Sequence, residues 1–161
     1  MLRLIEQLLP RGLHRLALRI AHRARHRWRV LRRVPLSGVS IVATDDAGRV
    51  LLVRHSYGPP VWALPGGGAK RGETPEATAQ RELQEELGTR GRDPRLIGSF
   101  DEVLSGSPHT AHVVQVLVEF ERVTPDRREI AEARMCALDA LPGDLGRLAA
   151  ARIRFWQSQQ R

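Results

Sequence analysis

Three glutamates, Glu82, Glu85 and Glu86, stand at positions i, i+3 and i+4. On a helix that spacing puts their carboxylates on one face within a single turn. Side by side and uncompensated they repel each other and destabilise the helix that carries them. A hard divalent cation such as Mg²⁺ removes the conflict, because it prefers carboxylate oxygen and water. Gly66, Gly67 and Gly68 precede them and let backbone groups approach a metal or a phosphate closely. A solvated acidic helix face is the plainer reading. Two features oppose it: Arg81 adjoins the acids, with Glu73 eight residues earlier as its partner, and a glycine-rich turn leads directly into the segment. A phosphate-binding P-loop is excluded. Gly67 and Gly72 have the right spacing, but Glu73 stands where that loop needs a lysine.

The acids need a helix to hold them, and the local residues supply its ends. Thr74 can cap it, Pro75 suits its first position and Gly88 its stop, so a helix is expected over about 75–87. Ala79, Leu83 and Leu87 form an adjacent apolar stripe for the core. Upstream, Val39, Ile41 and Val42, the turn Asp45–Gly48 and the run Val50–Val53 read as a β-hairpin over 38–54. Leu96–Ile97 and Val113–Phe120 read as further strands. Leu145, Leu148, Ala149, Arg152, Ile153 and Trp156 are spaced as an amphipathic closing helix within 144–156. Strands mixed with two helices predict a layered α/β domain.

The chain has 161 residues with 42% hydrophobic and 27% charged residues, which is the balance of one globular domain with an appendage. Its single cysteine, Cys136, excludes an intrachain disulfide and a cysteine-built zinc site; a small core residue of a cytoplasmic protein is the expectation. No apolar run is long enough for a transmembrane helix, and charges and Pro10 break the early apolar runs, so no signal peptide is expected. The net charge of +8 is unevenly placed. Residues 1–33 hold ten arginines and one acid, so they carry +9, and the remainder carries −1. Leu13, Leu16, Ala17, Ile20, Ala24, Trp28 and Leu31 recur every three or four residues beside a row of arginines. The segment 1–35 is therefore expected to be a basic amphipathic helical arm, ended by Val34–Pro35, with the domain proper at 36–161.

The stretch Gly67–Thr89 resembles the box of the Nudix hydrolases, Gly-x5-Glu-x7-Arg-Glu-U-x-Glu-Glu-x-Gly-U, where U is a bulky aliphatic residue. Gly67, Glu73, Arg81, Glu82, Leu83, Glu85, Glu86 and Gly88 all fit, and Thr89 departs at the last aliphatic position. The resemblance implies a Nudix-type α/β/α sandwich around a mixed β-sheet. It implies Mg²⁺- or Mn²⁺-dependent hydrolysis of a pyrophosphate bond in a nucleoside diphosphate linked to another moiety. It further implies that Glu82, Glu85, Glu86 and the Gly66 carbonyl hold the metal and that Glu73 and Arg81 form a structural tie. The general base stays open. Glu82 and Glu85 are candidates from the box; Glu129, Glu102 and Asp101 are candidates from elsewhere.

Other residues have plainer expectations. Tyr57 and Trp62 could stack on a base but suit a core. His109 and His112, three apart on a strand, point to opposite faces and should not share a metal. His22 and His26 are expected to be solvated. The arm could pack on the domain or a second subunit, or lie on an anionic membrane surface, making the protein peripheral there; RNA ranks below these as a partner. A different class of function also remains: a Nudix-fold module that binds a nucleotide or RNA without turning it over.

Overall fold

The computed structural model describes residues 36–104 and 107–160. The expected arm, with His22 and His26, lies outside the described residues. Five strands form one sheet: β1 (Leu36–Thr44), β2 (Val50–His55), β3 (Arg92–Leu104), β4 (Ser107–Leu117) and β5 (Ile130–Cys136). Their order is β3-β4-β1-β2-β5. Only β1 and β4 run parallel, so the sheet is mixed.

Two helices cover the sheet, α1 (Pro75–Leu87) and α2 (Arg147–Ser158). The strands alternate between them. Ile41, Ala43, Leu51, Val53, Val114 and Val116 meet Ala79, Leu83 and Leu87 of α1. Val42, Val50, Leu52 and Val113 meet Ala149, Ile153 and Trp156 of α2. Residues 50–53 are fully buried on both faces, which is why they read as an unbroken apolar run. The layers are those of an α/β/α sandwich.

Several boundaries differ from the sequence reading. The apolar run 113–120 leaves the sheet at Leu117, and Phe120–Arg122 form a 3-10 turn. The closing helix starts at 147 instead of 144, because the backbone just before it is tied to Trp62: Asp144 accepts from the Trp62 amide, and Gly146 donates to its carbonyl. β5 alternates only through the small residues Ala131 and Ala133 and takes strand form by pairing with β2, from Val50 opposite Cys136 to Arg54 opposite Glu132.

β1 and β2 pair directly only at Thr44 and Val50, and then part. Residues 63–69 fill the fork. Val53 and Ala63 exchange both backbone hydrogen bonds; Ile41 donates to Pro65, Val39 to Gly67, and Ala69 to Ser37, all at 2.8–2.9 Å. The glycine-rich segment is thereby built into the sheet as a strap.

Candidate active site

The strap delivers the glycines to the helix that carries the acids. Thr74 Oγ1 caps α1 by accepting from the Ala77 amide at 3.2 Å, and Gly88 ends it in the left-handed conformation. Gly67 lies so close to the Glu82 carboxylate that a β-carbon there would stand 2.5 Å from its Oε1 and force that carboxylate to move. The Gly66 amide donates to Glu86 Oε2 at 3.3 Å. Strap and helix thus meet face to face, with Gly66 and Gly67 against Glu82 and Glu86.

Arg81 is the hub of the acidic face. Its Nε and Nη2 donate to the two oxygens of Glu73 at 2.9 and 3.0 Å, a bidentate pair. Nη1 donates to Glu82 Oε1 at 2.7 Å and Glu85 Oε2 at 3.0 Å, and Nη2 also reaches the Gly68 carbonyl. The Arg81 hydrogen bonds, foremost among several, hold Glu73 at a pKa of about 2. In return Glu73, then Glu82 and Glu85, raise the pKa of Arg81. The sequence reading paired Arg81 with Glu73 alone; the arginine in fact ties strap, loop and two of the three clustered acids together.

Glu86 is outside that compensation. Its side chain is buried, and burial followed by the charge of Glu82 pushes its pKa up to about 8; Glu129 and Asp126 add to the rise. Glu82 is also raised, chiefly by burial, although Arg81 opposes this. Glu129 comes from the segment before β5, where Asp126 Oδ1 accepts from the amides of Arg128, Glu129 and Ile130 at 2.9–3.1 Å. That turn brings Glu129 within electrostatic reach of Glu82 and Glu86. Asp126 was missed because its part is to fold a loop, and a lone aspartate three residues before a glutamate carries no signal.

The donor set fits a hard cation: it is all oxygen, it is anionic in excess of its one arginine, and it is crowded against a glycine backbone. As the side chains stand, no group of three His, Cys, Asp or Glu residues among those described closes on one point. Arg81 holds Glu82 and Glu85 instead, so a cation would compete with a guanidinium.

The NUDIX domain model matches residues 34–157. This chain belongs to the NUDIX family. Among curated proteins, the RNA pyrophosphohydrolase of Saccharophagus degradans is 43% identical over 60 residues, 37% of this chain and 35% of that protein. The diphosphoinositol polyphosphate phosphohydrolase 3-alpha of Mus musculus is 45% identical over 59 residues, 37% of this chain and 36% of that protein. The matched segment thus spans about a third of these relatives' length. Among solved structures, a MutT NUDIX hydrolase from Burkholderia pseudomallei superimposes with a TM-score of 0.66 at 25% identity, covering 75% of this chain and 97% of that one.

The remaining candidates of this NUDIX domain are dispersed. Asp101 accepts from Thr110 on the sheet, away from the acids of α1. Glu102 binds His109 and Arg152. His112 lies between Ser99 and Ser37 and shares no partner with His109. Trp62 and Cys136 are buried in the α2-side core, and the guanidinium groups of Arg54 and Arg134 lie 4.6 and 4.8 Å from the Trp62 ring centroid. Tyr57 donates to Glu129 Oε2 at 3.4 Å. Thr89 is buried, so the departure from an aliphatic residue leaves the position packed.

Proposed function

We propose that this protein is a divalent-cation-dependent hydrolase that cleaves a pyrophosphate bond in a nucleotide-type substrate. The observation that carries the reading is the surplus of buried carboxyl groups over cationic partners where Glu82 and Glu86 meet the strap, within reach of Glu129. Such a surplus has little to recommend it structurally, since a buried carboxylate without a counter-ion is costly. The names of the two curated relatives, which act on pyrophosphate-bearing substrates, support the reaction class.

Glu82, Glu85, Glu86 and the Gly66 carbonyl would hold the cation, Mg²⁺ or Mn²⁺. Bound there, it would offset phosphate charge and lower the pKa of a coordinated water. Glu73 and Arg81 fix the strap against α1, so they act on the position of the acids. A carboxylate would serve as general base toward the attacking water, an effect worth roughly 10²–10⁴ in rate. Glu82 and Glu85 are candidates, but Arg81 engages both; Glu129 stands outside that network and is the loop alternative. The test is a panel of nucleoside polyphosphates, ADP-ribose-like diphosphates and 5′-triphosphorylated RNA, assayed with and without Mg²⁺ or Mn²⁺ in ¹⁸O water. Label should enter a phosphate product. Label found only in a sugar hydroxyl would sink the reaction class.

One observation favours a second reading. Arg81 already satisfies Glu82 and Glu85, which suits a nucleotide-binding module that performs no turnover. Nucleotide binding without divalent-dependent product release would establish it. For residues 1–33 the proposal is contact with an anionic membrane surface, tested by salt-sensitive sedimentation with anionic liposomes and its loss on truncation to residue 36.

A further inference from the structure

A cavity of about 360 Å³ opens beside the strap and is lined in part by Gly66, Gly67 and Gly68. Its apolar walls include Val39, Leu64 and the half-exposed Leu148. Its polar groups include Glu102 and His109, cross-strand neighbours on β3 and β4. His109 Nδ1 lies 3.2 Å from Glu102 Oε1, and the other carboxylate oxygen accepts from Arg152 Nη2 at 2.5 Å. Arg152 comes from α2, is buried, and lies 4.4 Å from the Phe100 ring centroid. An ionised carboxylate only accepts, so the proton of a neutral His109 must sit on Nδ1. Nε2 then carries a lone pair. It is confined beside the strap: the point where a β-carbon on Gly38 would stand is 3.2 Å from Nε2 and 2.9 Å from the Gly67 carbonyl.

The balance of charge here is closed. Arg152 is matched by Glu102, and no lysine or arginine is among the described residues that line the cavity. A polyphosphorylated ring would bring acceptor oxygens to a carboxylate and, in this tautomer, a lone pair, with no lysine or arginine of the described lining to meet them. A flat, uncharged group carrying an N–H suits the apolar walls and the acceptor alike.

We propose that His109 Nε2 accepts a hydrogen bond from an amino or imino N–H of the substrate's base, and that Glu102 and Arg152 are positioning residues that hold its tautomer. This rests on the proposed function for its nucleotide substrate. It adds a specificity-determining contact, and selects base-bearing substrates over inositol-type polyphosphates.

The test separates binding from turnover. Affinities of the full-length protein are measured for the four common nucleoside 5′-monophosphates, for purine riboside 5′-monophosphate, which lacks the exocyclic amino group, and for ribose 5-phosphate. At least one natural nucleotide should bind ten-fold or more tighter than ribose 5-phosphate. If that nucleotide is a purine with an amino group, purine riboside monophosphate should lose most of the gain. His109→Ala should abolish the preference, and His109→Gln, whose side-chain oxygen can still accept, should restore part of it. In turnover of the preferred nucleotide's polyphosphate, His109→Ala and Glu102→Gln should raise KM by a larger factor than they lower kcat; thermal melting identifies any variant that has lost its fold. Equal affinity for ribose 5-phosphate and all nucleotides, or a base preference that survives His109→Ala in a folded protein, overturns the proposal. A base preference through His109 with no divalent-dependent hydrolysis overturns the enzyme reading and leaves this contact standing.

Discussion

Two charged clusters of this molecule use the same residue types in opposite proportion. At α1 one arginine serves Glu73, Glu82 and Glu85, Lys70 also reaches Glu85, and Glu86 has no partner cation among the described residues. Across β3, β4 and α2 one carboxylate serves one arginine and one imidazole. The first cluster is anionic in excess and wants a further cation. The second pairs its carboxylate on both oxygens and presents an oriented imidazole. The contrast teaches that the count of partners, and not the presence of acids, decides whether a charged cluster has room for a further cation or is already paired.

The largest expected effect breaks the first cluster. Glu86→Gln preserves shape and removes the unpartnered carboxyl group, so the fold should persist while divalent-dependent hydrolysis falls by about a hundredfold or more. Wild-type turnover in that variant would show that the surplus charge does not serve the reaction.

The clusters should also differ in their response to pH without any substitution. Glu86 has its pKa raised to about 8, so it stabilises the metal-free protein below the usual glutamate range and loses that contribution as pH rises through 8. Glu73, lowered to about 2, does the reverse: its contribution is present above the usual glutamate range and is lost as pH falls toward 2. Metal-free protein should therefore melt at a lower temperature at pH 8.5 than at pH 5.5, and again at a lower one at pH 3. Saturating Mg²⁺ should remove most of the alkaline loss. Melting curves that are flat from pH 5.5 to 8.5 without metal would contradict the surplus.

The second cluster should behave as a closed pair. Arg152→Met strands Glu102 and should cost about 2 kcal/mol by denaturant melts, while Arg152→Met with Glu102→Gln should recover much of it. A double variant as unstable as the sum of the singles would mean that the two residues are not coupled. The smallest effect serves as a control. Thr89→Val replaces a buried hydroxyl by a methyl outside both clusters and should change stability by less than about 1 kcal/mol, with hydrolysis and metal response unaltered.

The sequence revealed the first cluster and not the second, for a physical reason. Glu82, Glu85 and Glu86 lie within one helical turn, and Thr74, Pro75 and Gly88 mark that helix, so local rules place them; α1 spans Pro75–Leu87 as those rules predict. Arg152, Glu102 and His109 come from three elements and meet only because β3 pairs with β4 under α2. No periodicity records that meeting. β5 was missed likewise: Ala131, Glu132, Ala133 and Arg134 alternate only through small alanines, a weak strand signal, and their partner is β2, some eighty residues earlier. The glycines were legible as a close-approach segment, but not as the filler of a fork in the sheet.

That fork has a consequence for how the protein breathes. The amides of Val39, Ile41 and Val53 are bonded to the strap, and all three residues belong to the buried core, so freeing the strap means opening the middle of the sheet. Their exchange with solvent deuterium should proceed only through near-global unfolding, at a rate that tracks denaturant stability. The Lys70 amide, bonded to the Glu73 carboxylate in an exposed turn, should exchange orders of magnitude faster. Any rearrangement that loads the acids of α1 must then come from side chains turning away from Arg81, against a backbone as stiff as the sheet itself.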